Sequence, residues 1–415
     1  MTMKTSAIRL YGKNDLRLDR FELPEPGADE ILAHVISDSI CMSSYKAAIQ
    51  GADHKRVPDN VSENPIIVGH EFCGEIVGVG EKWNEKFSPG DRFTIQPALN
   101  YKGSLDAPGY SYRYIGGDAT HVIIPNEVME MDCLLPYKGE AWFHGSLSEP
   151  MSCIVGAFRA SYHVEQGTYV HEMGIKADGK MAILAGAGPM GLGAIDLALH
   201  GDRRPSLLVV TDIDTPRLNR VAELFPPEEA RKDGIDLRYV NTAEHPEEIT
   251  DLDFDDVFVM APVKPVIEQA DRILAKGGCM NFFAGPTNPQ FSAEINFYNI
   301  HYAFHHIVGT SGGNTEDMRI SLDLMEKGRI NPAVMITHVG GLDAVVDTTL
   351  NLPKIPGGKK LIYTNISMPL TALDDLAELG KNDRLYAELA RLVAENKGLW
   401  SLAAEKYLLE NAEKI

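Results

Sequence analysis

Three short stretches hold side chains whose types can do chemistry together. Gly69-His70-Glu71 sets an imidazole beside a carboxylate after the β-rich PIIV, Cys41 follows ILAHVISDSI, and Glu149-Pro150 follows a break at HGSLS and opens a segment of helical character. A thiolate, an imidazole and one or two carboxylates form a mixed sulfur, nitrogen and oxygen donor set. Such a set suits Zn2+ in a catalytic site that keeps one position open. Each of these residues alone is ordinary: a single cysteine is usually a small core residue, and a Glu-Pro pair usually starts a helix.

A second group is built to bind. KMAILA ends in Gly186-Ala187-Gly188-Pro189-Met190-Gly191, and LGAIDLALH follows with helical character. Between a strand and a helix, the first glycine makes the tight turn, the second lets the backbone approach a pyrophosphate, and the third lets the helix pack on the strand. Met190 belongs to this turn, where the free N–H groups and positive dipole end of the helix face phosphates. The next strand, LLVVTD, ends at Asp212, 21 residues after Gly191. A carboxylate there accepts hydrogen bonds from ribose hydroxyls and repels a 2′-phosphate, so NAD(H) is expected rather than NADP(H). Arg217, five residues on, either stacks on the adenine or sits in a solvated helix turn.

These residues need scaffolds of two styles. From Lys4 to about Leu135, Gly and Pro break short stretches rich in Ile, Val and Phe, such as GDRFTIQP and THVIIPNEVM, which predicts a mostly β domain. From Lys180, strand-like KMAILA, SLLVVTD, DLRYVN, FDDVFVMA, GGCMNFFAG and HIVGTSG alternate with helical segments such as PVIEQADRILAKG. That alternation predicts a parallel, doubly wound sheet with right-handed crossovers. After Gly313, the helical TEDMRISLDLMEKG precedes β text ending at KKLIYTNI, which is expected to rejoin the first domain. The last fifty residues predict two or three short helices, opened by a Thr371 cap with Asp374 three positions on and continued by Leu385, Leu389 and Leu392. Docking on the protein's own surface is their expected role.

Composition removes several classes of function. The 415 residues include 39 basic and 59 acidic side chains, a net charge of −20, which repels nucleic acid and anionic lipid over most of the surface. No apolar run reaches the roughly 18 residues of a membrane span, and MTMKTSAIRLYG lacks the apolar region of an export signal. Five dispersed cysteines without a CxxC pair predict reduced thiols or isolated metal ligands. A cytoplasmic protein is expected, with a small-molecule substrate and neither nucleic acid nor membrane as partner.

The order of motifs, Cys41, Gly69-His70-Glu71, PGDRF at 89–93, GGDATHVIIP at 116–125, SEPMSC at 148–153 and GAGPMG, resembles the zinc-dependent medium-chain alcohol and polyol dehydrogenases over about residues 4–365. The resemblance implies an α/β chain with a GroES-like zinc-binding catalytic domain at 1–158, a Rossmann NAD-binding domain at 159–312, a return at 313–365 and a helical C-terminal extension at 366–415. It implies one catalytic zinc on Cys41, His70 and Glu149, with Glu71 as an exchangeable ligand or close neighbour. Cys153 stands where the simple-alcohol branch places its third ligand, and Glu149 matches the polyol branch. Three departures stand out: Cys41-Met42-Ser43-Ser44 replaces Cys-Gly-Ser/Thr-Asp, Lys46 replaces a relay histidine, and the four cysteines of a structural zinc lobe are missing between Pro97 and Gly116.

The implied chemistry is hydride transfer between NAD(H) and a metal-polarised carbonyl or alcohol. Ser43 would pass the alcohol proton, and Lys46 would continue that relay or bind an anionic substrate group. CMSSYK, NFFAGPTNPQ and the tail AAEKYLLENAEKI look most like the L-sorbose 1-phosphate reductase branch. That likeness implies a sugar phosphate or polyol substrate, L-sorbose 1-phosphate reduced to D-glucitol 6-phosphate, with Lys46, Arg113, Lys359 and Lys360 as cations in the text for its phosphate. Another polyol or sugar dehydrogenase of the branch shares every motif, and a non-catalytic NAD-binding sensor is the alternative outside enzymes. A homo-oligomer, dimer or tetramer, is expected.

Overall fold

The computed structural model describes residues 3–165 and 167–415. The chain forms two compact units, one of Met1–Glu149 with Ile336–Ile415, the other of Pro150–Met335. In the first, an eight-stranded sheet is built around the strand Ile31–Ile40. Its first half alternates, burying Ile31, Ala33 and Val35 against Phe72, Phe93 and Ile124, as a half-buried strand should. Its second half is buried on both faces, from Ser37 to Ile40. The change coincides with a change of partner: Ile31–His34 pair with the strand His121–Ile124, and Ser37–Ile40 pair with Lys359–Tyr363. Cys73–Val79 lies along the opposite edge.

The second unit holds six parallel strands in the order Asp236–Asn241, Leu207–Asp212, Lys180–Leu184, Phe254–Val259, Leu274–Phe282 and His306–Gly309. Ala182, Val209, Val257 and Met280 join one buried cluster beneath the helix Lys264–Arg272. The alternating strands and helices therefore form the expected doubly wound sheet.

Two local expectations are corrected. Thr371 caps no helix: with Ala372 it pairs with Val339 and His338 as a sheet edge, and its hydroxyl donates to the Pro369 carbonyl. The tail helices are instead capped by Asp383, before Arg384–Glu395, and by Ser401, before Leu402–Asn411. HGSLS is no break either, because it lies inside one helix, Trp142–Ala160, that runs through Pro150. The start of that helix is satisfied by a residue far away in sequence: the Glu405 carboxylate accepts from the N–H groups of Trp142 (2.7 Å) and Phe143 (2.9 Å).

Candidate active site

Cys41 ends the Ile31–Ile40 strand and stands at the N-terminus of the helix Met42–Gln50. Its carbonyl accepts from the Ser44 and Tyr45 N–H groups, so the thiol lies at the positive end of the helix, which favours thiolate. His70 and Glu71 follow Gly69, whose φ of +91° suits glycine. A Cβ at Gly69 would lie 2.4 Å from Asp38 Oδ2 and 2.6 Å from the Asp118 N. The turn can therefore bring His70 and Glu71 close against the sheet only with no side chain at residue 69.

Ligand atoms of Cys41, His70 and Glu71 lie within 4.8 Å of one another. Ser43 Oγ is 3.1 Å from Cys41 Sγ and 3.2 Å from His70 Nε2, while Ser44 Oγ is 3.2 Å from His70 Nδ1. The Glu71 carboxylate is held by the Lys359 ammonium through both oxygens and accepts from the Ser39 hydroxyl. Strand register places Lys359 there, because Lys360 pairs with Ile40 and the preceding residue falls beside Cys41. Glu149, two turns into the Trp142–Ala160 helix, is buried with Glu71, His70, Cys41 and Lys359 as its charged neighbours. Cys153, one turn further, belongs to the second unit.

The electrostatics test whether these residues fit a cation. Burial, followed by the Glu71 charge, pushes the Glu149 carboxyl up to about 7. Burial also raises the Cys41 thiol, against the pull of Lys359. Burial alone would lower the Lys359 pKa, but Glu71 and Cys41 hold it up, so the ammonium stays charged. A thiol and two carboxyl groups thus share a desolvated space with a single ammonium, and a divalent cation bound by Cys41, His70 and Glu149 would favour the Cys41 thiolate and the Glu149 carboxylate that burial disfavours. Behind them, burial raises the Asp38 and Asp118 carboxyls, Asp118 to about 7, and Asp38 Oδ1 accepts from the Glu71 N–H at 2.9 Å.

In the second unit, Gly186, Gly188 and Gly191 join the strand Lys180–Leu184 to the helix Pro189–His200. A Cβ on Gly191 would lie 2.0 Å from the Gly186 carbonyl oxygen, whereas one on Gly188 would meet nothing within 4 Å. The third glycine therefore permits close packing, and the second faces open space. Met190 lies in the first turn of the helix. The Asp212 carboxylate reaches this turn, accepting from the Ala187 N–H at 3.1 Å and from those of Ile213 and Asp214. Arg217 lies in the first turn of the helix Thr215–Leu224, its Nε 3.6 Å from the Asp214 carboxylate and its side chain half exposed.

Residues 27–132 match the alcohol dehydrogenase GroES-like domain. The chain is 52% identical to the L-sorbose 1-phosphate reductase of Klebsiella pneumoniae, across 99% of this chain and 98% of that one. It belongs to the zinc-dependent medium-chain alcohol and polyol dehydrogenases. The mannitol-1-phosphate 5-dehydrogenase of Aliivibrio fischeri is also 52% identical, over 99% of this chain and 98% of the relative. Among solved structures, a zinc-binding dehydrogenase of Sinorhizobium meliloti bound to NADP shares the fold, with a TM-score of 0.70 and 22% identity over 87% of this chain and 99% of that one.

Within this dehydrogenase two residues beside the site escaped the sequence. Tyr110 donates or accepts at 3.2 Å from His70 Nε2, and the His54 ring stacks on it at 5.7 Å. Neither residue lies in a recognisable motif; the only signal is an aromatic residue and a histidine in loops flanking Gly69-His70-Glu71. Of the cations named for a phosphate, Lys359 is bound to Glu71, Lys360 donates to the Pro356 and Gly358 carbonyls at 2.8 Å each, and Arg113 lies over the Tyr114 ring. Lys46 is half-buried on the Met42–Gln50 helix, one turn beyond Ser43.

Proposed function

We propose that this dehydrogenase interconverts L-sorbose 1-phosphate and D-glucitol 6-phosphate with NAD(H), at one zinc held by Cys41, His70 and Glu149. The observation that carries this reading is the grouping of half-buried Cys41 with buried His70 and Glu71, and the desolvated Glu149 carboxyl whose charged neighbours they are. When bound, the metal supplies Lewis acidity for the ketose carbonyl and the nicotinamide supplies or takes the hydride. Ser43, within 3.2 Å of both Cys41 and His70, gives the proton that converts alkoxide to alcohol, so ketone, NADH and a proton balance against alcohol and NAD+. Glu71 is engaged by Lys359, which makes it the reserve carboxylate and Glu149 the first.

Asp212 supports NAD(H), since its carboxylate beside the glycine-rich turn is placed for ribose hydroxyls. Asp212→Ala should lower the NADH/NADPH ratio of kcat/KM by about tenfold or more, about 1.4 kcal/mol per factor of ten. An unchanged ratio assigns the preference to another residue. Association into a homo-oligomer is supported by the edge strand His306–Gly309, where Ile307 is exposed, as are Phe297, Tyr298 and Tyr302 on the helix that precedes it.

A second substrate reading, oxidation of a hexitol 1-phosphate at C5, is favoured by the equal identity to the Aliivibrio fischeri relative. Metal analysis joined to NADH oxidation over ketose 1-phosphates, ketose 6-phosphates and free ketoses tests all of this. One zinc per chain with preferred turnover of a ketose 1-phosphate is expected. A metal-free chain that binds NADH without turnover would instead be a sensor.

A further inference from the structure

The loop that follows the Met42–Gln50 helix carries His54-Lys55-Arg56 beside the metal-binding residues. Arg56 Cζ lies 5.5 Å from the centroid of the Tyr110 ring, and the phenol oxygen of that same ring is 3.2 Å from His70 Nε2. One tyrosine ring therefore separates a guanidinium from the imidazole assigned to the metal. The loop is fixed at both ends of the residue: the Arg56 N–H donates to His54 Nδ1, and its carbonyl accepts from Ser111 Oγ at 2.7 Å. His54, stacked on Tyr110 at 13° between planes, is pushed down to about 4 by burial and then by the charges of Arg56, Lys55 and Lys46. Three cations thus converge on one neutral imidazole.

The convergence is unusual for this chain. With 59 acidic residues against 39 basic ones, Arg9, Arg17, Arg159, Arg238 and Arg391 each sit on a carboxylate. Among the described residues no carboxylate lies within 4.0 Å of Arg56 or Lys55, and the adjacent Asp53 is taken by Lys13. Placing Arg56 and Lys55 side by side with no carboxylate on either raises the energy of the empty protein, and an anionic ligand relieves it. The planar guanidinium fork matches two phosphate oxygens, and the neighbouring ammonium groups add charge without demanding geometry.

We propose that Arg56, assisted by Lys46 and Lys55, holds the phosphate of the phosphorylated substrate and so selects sugar phosphates over free sugars. This rests on the ketose phosphate reading above and names the residues that enforce it. Tyr110 is the spacer: its hydroxyl meets His70 and its ring face carries Arg56, so a rigid aromatic group would set the span between the residues that would hold the metal and those that would hold the phosphate.

The test uses the zinc-loaded enzyme and its Arg56→Gln and Arg56→Lys variants, with zinc content and Tm measured for each. On the ketose phosphate, Arg56→Gln should raise KM about ten- to a hundredfold, the scale of one lost charge-assisted bond. The loss on the matching free ketose should be at least tenfold smaller, and Arg56→Lys should recover part of the difference. Equal losses on both substrates, or none on either, overturn the proposal. Should the wild type turn over only free polyols, the substrate reading falls by itself. The Arg56 site is then judged by calorimetry with inorganic phosphate, where binding by wild type and not by Arg56→Gln upholds it and equal behaviour of the two overturns it.

Discussion

Lys359 governs which carboxylates near Cys41 and His70 are available to a cation. Its ammonium is buried against Glu71 and has no water to fall back on. Removing one partner of a buried pair strands the other charge, which costs about 3–5 kcal/mol. Lys359→Met should therefore lower the unfolding free energy by about that amount in denaturant titrations, and adding Glu71→Gln should restore more than half of it. If the single variant is as stable as the wild type, the pair is not a buried ion pair in solution. The candidate metal ligands could be named from the sequence because Cys41, Gly69-His70-Glu71 and Glu149 each stand in a short local pattern. Lys359 was not, since its partner lies 288 positions away and only the antiparallel register of two strands brings them together.

At the scale of elements, the helix Trp142–Ala160 holds Glu149 in place and is itself held by Glu405. That carboxylate also accepts from the Tyr363 hydroxyl at 2.8 Å, and the Trp400 indole donates to the same hydroxyl at 2.7 Å. The tail helices were readable from the spacing of Leu385, Leu389 and Leu392. Their purpose was not, because a cap supplied from the far end of the chain leaves no mark near residue 142. Burial lifts the Glu405 carboxyl to about 7 from the ordinary 4.5. Between those values the native state keeps a proton that the unfolded chain has released, so this stabilisation is complete below about pH 4.5 and is lost as pH rises toward 7. Glu405→Gln removes the titration. The stability difference between wild type and variant should fall by roughly 1–3 kcal/mol across that interval, read by unfolding at pH 4.5 and 7; a pH-independent difference would place the titration elsewhere. In the second unit, Gly191→Ala should abolish NADH binding, measured by fluorescence titration, because its Cβ would force the helix away from the Gly186 carbonyl.

At the scale of the molecule, the open edge at His306–Gly309 predicts an assembly that charge can disrupt. Ile307→Asp should shift the mass seen by light scattering to a smaller species, and an unchanged mass would move the interface elsewhere. The catalytic unit is discontinuous: the Ile31–Ile40 strand precedes the whole Pro150–Met335 unit and its partner Lys359–Tyr363 follows it. This ordering gives the chain a schedule on the ribosome. At roughly 5–20 residues per second the intervening unit occupies about 10–40 s of synthesis, long enough for it to fold by itself. Throughout that interval the edge of the nascent Ile31–Ile40 strand that Lys359–Tyr363 will cover along Ser37–Ile40 stays unpaired, and Cys41 lacks the Lys359 that will stand beside it. The half-made unit is thus the point at which a chaperone, or a second nascent chain, would find an unpaired strand to grasp.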